Sequence, residues 1–208
     1  MVRRSAAAVF AVFLLVLLFT ITPSAVCAQK IELFVGDSFL APAVGVTAQP
    51  AYCPVLGTCS APATTITNRQ RLNGWEISAT HRFTSSLSIT ADASGHYGLA
   101  TSGFPVNGRA RQYLLMGGPQ LSGHSRIAPF VHVLAGATRQ SATASGNTFL
   151  TTFPSGEWGF AAAAGGGFDV KISSDFSFRL IQADYVLTHL GGNFQGAPRI
   201  AMGFSFRF

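Results

Sequence analysis

The last ten residues of the chain, Arg199 to Phe208, alternate strictly between large apolar side chains and small or polar ones. Ile200, Met202, Phe204, Phe206 and Phe208 share one face; Arg199, Ala201, Gly203, Ser205 and Arg207 share the other. A period of two belongs to a β-strand, whose successive Cβ atoms point to opposite sides of the sheet. The apolar face holds no charge, and the length is what a tilted strand needs to cross the hydrocarbon core of a bilayer. A lone strand cannot do so. Backbone groups at that depth must all be hydrogen-bonded, which among β structures only a closed barrel without edges achieves. The rest of the chain must therefore supply further strands of the same kind.

It does so over residues 30 to 198. Alternation predicts strands at Lys30 to Ala41, Leu72 to Phe83, Leu87 to Gly98, Arg111 to Ser122, Ile127 to Gln140, Glu157 to Ile172 and Phe176 to His189, making eight with the last. Short turns near residues 84, 123 and 173 alternate with longer loops from 42, 99, 141 and 190, as short periplasmic and long extracellular connections do in transmembrane barrels. The fourth strand has a weaker pattern, because Leu114 and Met116 fall on its polar face. In the seventh, Arg179 cannot share a face with Gln182 and Asp184; we expect Gln182 and Asp184 inside, with Arg179 near the interface or followed by a bulge.

A soluble barrel turned inside out would show the same alternation. Three features favour lipid outside. Aromatic residues cluster at strand ends on the apolar face, with Phe83, Phe176, Phe206 and Phe208 at one level and Trp75, Tyr97, Tyr113 and Trp158 at the other. Mid-strand apolar positions are mostly aliphatic or alanine, which would fill a soluble core poorly. The opposite face is Gly-, Ser- and Thr-rich with few charges. Only 11% of all residues are charged against 48% hydrophobic, about half the charge of a soluble domain.

Residues 1–28 read as a secretory signal peptide: Arg3 and Arg4, an apolar run from Ala6 to Ile21, and Val26-Cys27-Ala28 as the cleavage site, leaving residues 29–208 as the barrel domain. The run is shorter than a spanning helix needs. Its removal leaves 12 basic and 8 acidic residues, a formal charge of +4, too dispersed for a nucleic-acid surface. The clusters Arg69 to Arg71 and Arg109 to Arg111 are placed in loops, where phosphate-bearing lipopolysaccharide would meet them. Export to an oxidising compartment makes a Cys53–Cys59 disulfide the expected state, contributing about 2 kcal/mol by loop entropy.

With its terminal Arg-Phe, its Gly165-Gly166-Gly167 strand and its Ala183-Asp184-Tyr185 segment, the chain from about residue 30 onward resembles the OmpA-type outer-membrane β-barrel family. The resemblance implies a small eight-stranded, monomeric barrel in the bacterial outer membrane, with a structural, porin-like or surface-interaction role. It also implies that Phe204, Phe206 and Phe208 act as an assembly signal read by the barrel-assembly machinery.

Counting from the turns gives approximate depths inside the barrel. Glu32, Arg82, Asp169, Lys171 and Arg207 are expected near the periplasmic end, with Glu32 paired to Arg82 and Arg207 on its two neighbouring strands. Glu76, Asp92, His132 and Asp184 are expected mid-barrel, an acidic excess with no arginine assigned to it. Either that excess makes the filling acid-sensitive, or interior water and hydroxyl groups solvate it. Eight strands leave room for side chains and little else, so a structural or weakly conducting role is expected. A surface-loop adhesin is the first alternative. The second, a lipid-modifying enzyme, has weak support: His189 to Asn193 lacks a serine nucleophile and His81 lacks a placed Ser/acid pair. No metal cluster, phosphate loop or nucleotide fingerprint occurs, so no cofactor is expected.

Overall fold

The computed structural model describes residues 31–48, 64–69, 71–100, 107–145 and 156–208. The expected signal peptide and the Cys53–Cys59 pair lie outside them. The described residues form ten strands: β1 (Ile31–Leu40), β2 (Ala43–Ala48), β3 (Thr64–Arg69), β4 (Leu72–Arg82), β5 (Leu87–Ala100), β6 (Asn107–Ser122), β7 (Ile127–Ser145), β8 (Glu157–Lys171), β9 (Phe176–Leu190) and β10 (Asn193–Arg207). Eight close into an antiparallel barrel in the order β1-β10-β9-β8-β7-β6-β5-β4, which bears out the all-β, eight-stranded, up-and-down fold read from the alternation. Closure is completed by β1 against β10, where Glu32 lies opposite Arg207 and Leu40 opposite Arg199.

The polarity is inverted relative to a soluble barrel. Ile77, Ile89, Val131, Val133, Met202 and Phe204 are exposed, whereas Glu76, Asp92 and His132 are buried inside. A surface of this kind is stable only against lipid. Outward aromatics gather at both ends: Phe83, Phe206 and Phe208 beside the short turns, and Trp75, Tyr97, Tyr113 and Trp158 toward the long connections.

Four details differ from the sequence reading. The loop placed between residues 42 and 68 contains the β2–β3 hairpin, a two-stranded sheet of its own. The loop placed at Leu190 to Pro198 shrinks to a two-residue turn. Gly191 and Gly192 both have positive φ, 56° and 79°, as a tight hairpin of the primed type requires. Pro198 marks no boundary there; it sits within the ladder, opposite Tyr185. The arginines placed in loops are not all in loops, because Arg69 ends β3 and β6 begins early enough to carry Arg109 and Arg111.

The fourth detail resolves β9. Its pairing with both neighbours shifts by one residue at Leu180-Ile181, since Gln182 faces Ala201 and Arg179 faces Gly203. Leu180 and Ile181 therefore both point outward, and Arg179, Gln182 and Asp184 all point inward and are buried. The bulge is present, and Arg179 sits in the lumen rather than at the interface.

Candidate functional site

The barrel interior is stacked in three layers. The lowest, beside the short turns, is ionic. Arg207 Nε donates to Glu32 Oε2 at 2.8 Å, and Arg82 Nη2 reaches the same oxygen at 3.3 Å. Arg179 holds Asp169 through two bonds, Nε to Oδ1 at 2.8 Å and Nη2 to Oδ2 at 3.2 Å, and its guanidinium lies between the rings of Phe34 and Phe130, 4.3 and 4.2 Å from their centroids. Stacked aromatics on both faces and a carboxylate in the plane suit the flat, weakly hydrated guanidinium. Lys171 stands apart, donating to the His124 carbonyl at 3.0 Å.

The middle layer is built around Arg199. Its Nη2 lies 2.6 Å from Asp184 Oδ2, and its Nη1 lies 2.9 Å from Asp92 Oδ1 and 3.4 Å from Glu76 Oε2. His132 Nε2 donates to the other Asp184 oxygen at 2.9 Å. Gln182 joins the layers: it accepts from Arg179 Nη1 at 2.7 Å and donates to Glu76 and Asp184, both at 2.8 Å. Ser38 donates to Glu76 at 3.2 Å and bonds His96 Nε2 at 3.0 Å. Charges in so narrow a space are tolerable because Arg199 faces three carboxylates at once and Gln182, His132 and Ser38 supply further donors, although His96 Nδ1 and His132 Nδ1 are buried without a partner among the described residues.

The acids to which the sequence reading assigned no arginine therefore have one, Arg199. Arg199 alternates onto the inner face, but its depth depends on the stagger of strands around the barrel, which counting from turns does not give. Register brings it opposite Asp184, and its length carries it across to β4 and β5. Arg179, Arg199 and Gln182 complete the set; the signal for Arg199 was its place on the polar face of the most regular strand.

Above the middle layer apolar side chains enter the filling, with Gln112, Thr138, Gln140 and Thr188 buried among them. Leu40, Leu72, Ala110, Leu114, Met116, Leu134, Ala161, Ala163, Val186 and Ala197 form one buried cluster toward the long-connection end. Leu114 and Met116, which blurred the alternation of the fourth predicted strand, are part of this cluster.

The outward histidines have no catalytic neighbours among the described residues. His81 packs edge-on against Phe83, and His189 lies against Phe194 with ring centroids 4.5 Å apart. Asn193 spends its amide on the Gly191 carbonyl at 3.2 Å. Inside, Ser38 and His96 touch, but the acid bonds the serine rather than the histidine and all three are fully enclosed.

No family model matches the chain, and no curated protein matches it in sequence. Among solved structures it is similar to Ail, the attachment invasion locus protein of Yersinia pestis, with 14% identity over 88% of this chain and 100% of that one and a TM-score of 0.55. Ail has also been solved in complex with the heparin analogue sucrose octasulfate. Neisserial surface protein A matches with 11% identity over 88% and 98% of the two chains, and the outer membrane protein OprG of Pseudomonas aeruginosa with 15% over 87% and 96%, each with a TM-score of 0.51. The fold is that of the small outer-membrane barrels.

Proposed function

We propose that the chain is an exported, monomeric β-barrel of the bacterial outer membrane with a structural or at most weakly conducting role. The observation that carries this reading is the combination of a lipid-compatible exterior with a lumen filled from its ionic floor to an upper level of mixed polar and apolar side chains. A wide pore needs more strands or an empty interior. Phe204, Phe206 and Phe208, exposed along the last strand, are read as the segment that the assembly machinery recognises, and Cys53 and Cys59 as a disulfide. The reading assigns no catalysis, cofactor or nucleic-acid partner.

Membrane fractionation with heat-modifiable gel migration tests it: the chain is expected in the outer-membrane fraction, with a band that shifts on boiling. A soluble, unshifted protein would overturn it. In planar bilayers the folded barrel is expected to show no stable nanosiemens-scale channel.

A second reading, a surface ligand binder, is favoured by one finding. A structural neighbour has been solved with a polyanion bound, and this chain carries exposed arginines at its long-connection end.

A further inference from the structure

The outer wall near the long connections carries a basic cluster that the lumen does not use. Arg109 and Arg111 on β6, Arg139 on β7 and Arg71 just before β4 are all exposed. Register sets two of them among aromatic rings: Arg111 lies opposite Tyr97, and Arg139 opposite both Tyr113 and Trp158. The Tyr97 hydroxyl donates to that of Tyr113 at 3.3 Å with the rings edge-on, and the Arg139 guanidinium sits 5.6 Å from the Trp158 ring centroid. Arg109 and Arg111 line an open recess of about 380 Å³ together with Tyr97, Gly98 and Ala110. None of the ion pairs formed by the described side chains involves any of these four arginines.

We propose that this belt binds the phosphorylated headgroup of an outer-leaflet glycolipid from the side of the barrel. The inference rests on the outer-membrane reading above and names the partner of that surface. Guanidinium groups pair with phosphate through two parallel N–H bonds, and tyrosine hydroxyls add neutral donors. Position selects lipid over a soluble polymer. Arg109, Arg111 and Arg139 alternate onto the same face as Tyr113 and Leu115, so they look sideways where headgroups lie, and Tyr, Trp and Arg together make up an interfacial girdle. The lumen mouth, through which a soluble polysaccharide would approach, is reached by the opposite face of these strands.

The test is native mass spectrometry of the full folded barrel in detergent, titrated with bisphosphorylated lipid A, with the same lipid A dephosphorylated, and with soluble heparin. Bisphosphorylated lipid A is expected to bind in a salt-sensitive way, at least about tenfold more tightly than the dephosphorylated form. R109Q/R111Q/R139Q is expected to lose that preference, whereas R109K/R111K/R139K keeps part of it. Equal binding of both lipid A forms, or a glutamine variant that binds like wild type, overturns the proposal. Heparin binding as tight as that of lipid A assigns the belt to soluble polyanions and overturns it too. The boiling-dependent gel shift separates the outcomes: a folded barrel that does not discriminate sinks the belt alone, and an unshifted wild type sinks the outer-membrane reading itself. If the triple variants do not fold, R111Q and R139Q are titrated singly, and each is expected to weaken the phosphate preference.

Discussion

Arg199 brings one positive charge into a space bounded by Asp184, Asp92 and Glu76, at 2.6, 2.9 and 3.4 Å. Removing it leaves three buried carboxyl groups facing one another with Gln182, His132 and Ser38 as remaining donors. Arg199→Met, similar in length but without charge, is expected to cost about 3–5 kcal/mol, read as a lower urea midpoint in phospholipid vesicles from the fluorescence of Trp75 and Trp158. An unchanged midpoint would show that the cluster does not depend on its arginine. Gly165 shows the same crowding from the other side: a Cβ there would collide with Asp184 Oδ1 and with the Ala183 carbonyl oxygen, so the bare backbone of β8 leaves room for β9 and its Asp184 carboxylate. At this scale the faces were legible in the sequence, because parity assigns each side chain to lipid or lumen. The partners were not, because they depend on stagger between strands far apart in the chain.

Among the elements, β9 departs most from regular alternation. Its extra residue lies in the Leu180-Ile181 pair, both facing lipid. Deleting Leu180 would leave Arg179 inside, Ile181 outside and Gln182 inside, an unbroken alternation, and the ladders to β8 and β10 would run without a shift. That deletion is expected to keep the heat-modifiable folded band. Deleting Ala183 instead would throw Asp184 and Val186 onto the lipid face, and no folded band is expected on the same gel. The bulge was visible in the sequence as a conflict between Arg179 and Gln182, a conflict that a local rule can detect. The β2–β3 hairpin gave no such warning, since its Pro-, Ala- and Thr-rich surroundings read as loop. The Gly191-Gly192 turn was obscured by Pro198, which suggests a boundary although an isolated proline removes only one donor from a ladder.

For the whole molecule, two ionic layers capped by a filling that includes a buried apolar cluster decide what passes through. Ions could wet the lower two layers but meet Leu72, Leu114 and Leu134 above them. Replacing these three leucines together with serine is expected to produce discrete ion currents in planar bilayers where wild type is silent; continued silence would place the barrier elsewhere. The filled lumen and the closed fold were legible from composition and period, but the division of the filling into layers was not. It emerges only when eight strands are aligned at their true offsets.

Glu32 and Arg207 stand 175 positions apart in the chain and bond each other across the seam between β1 and β10. A hoop fastened by its outermost staves cannot be shut in instalments. Until β10 has been made, β1 presents a bare edge that no neighbour can satisfy, so closure must follow synthesis of the whole cylinder, and the half-built intermediate is the form that most needs an escort on its way to the membrane.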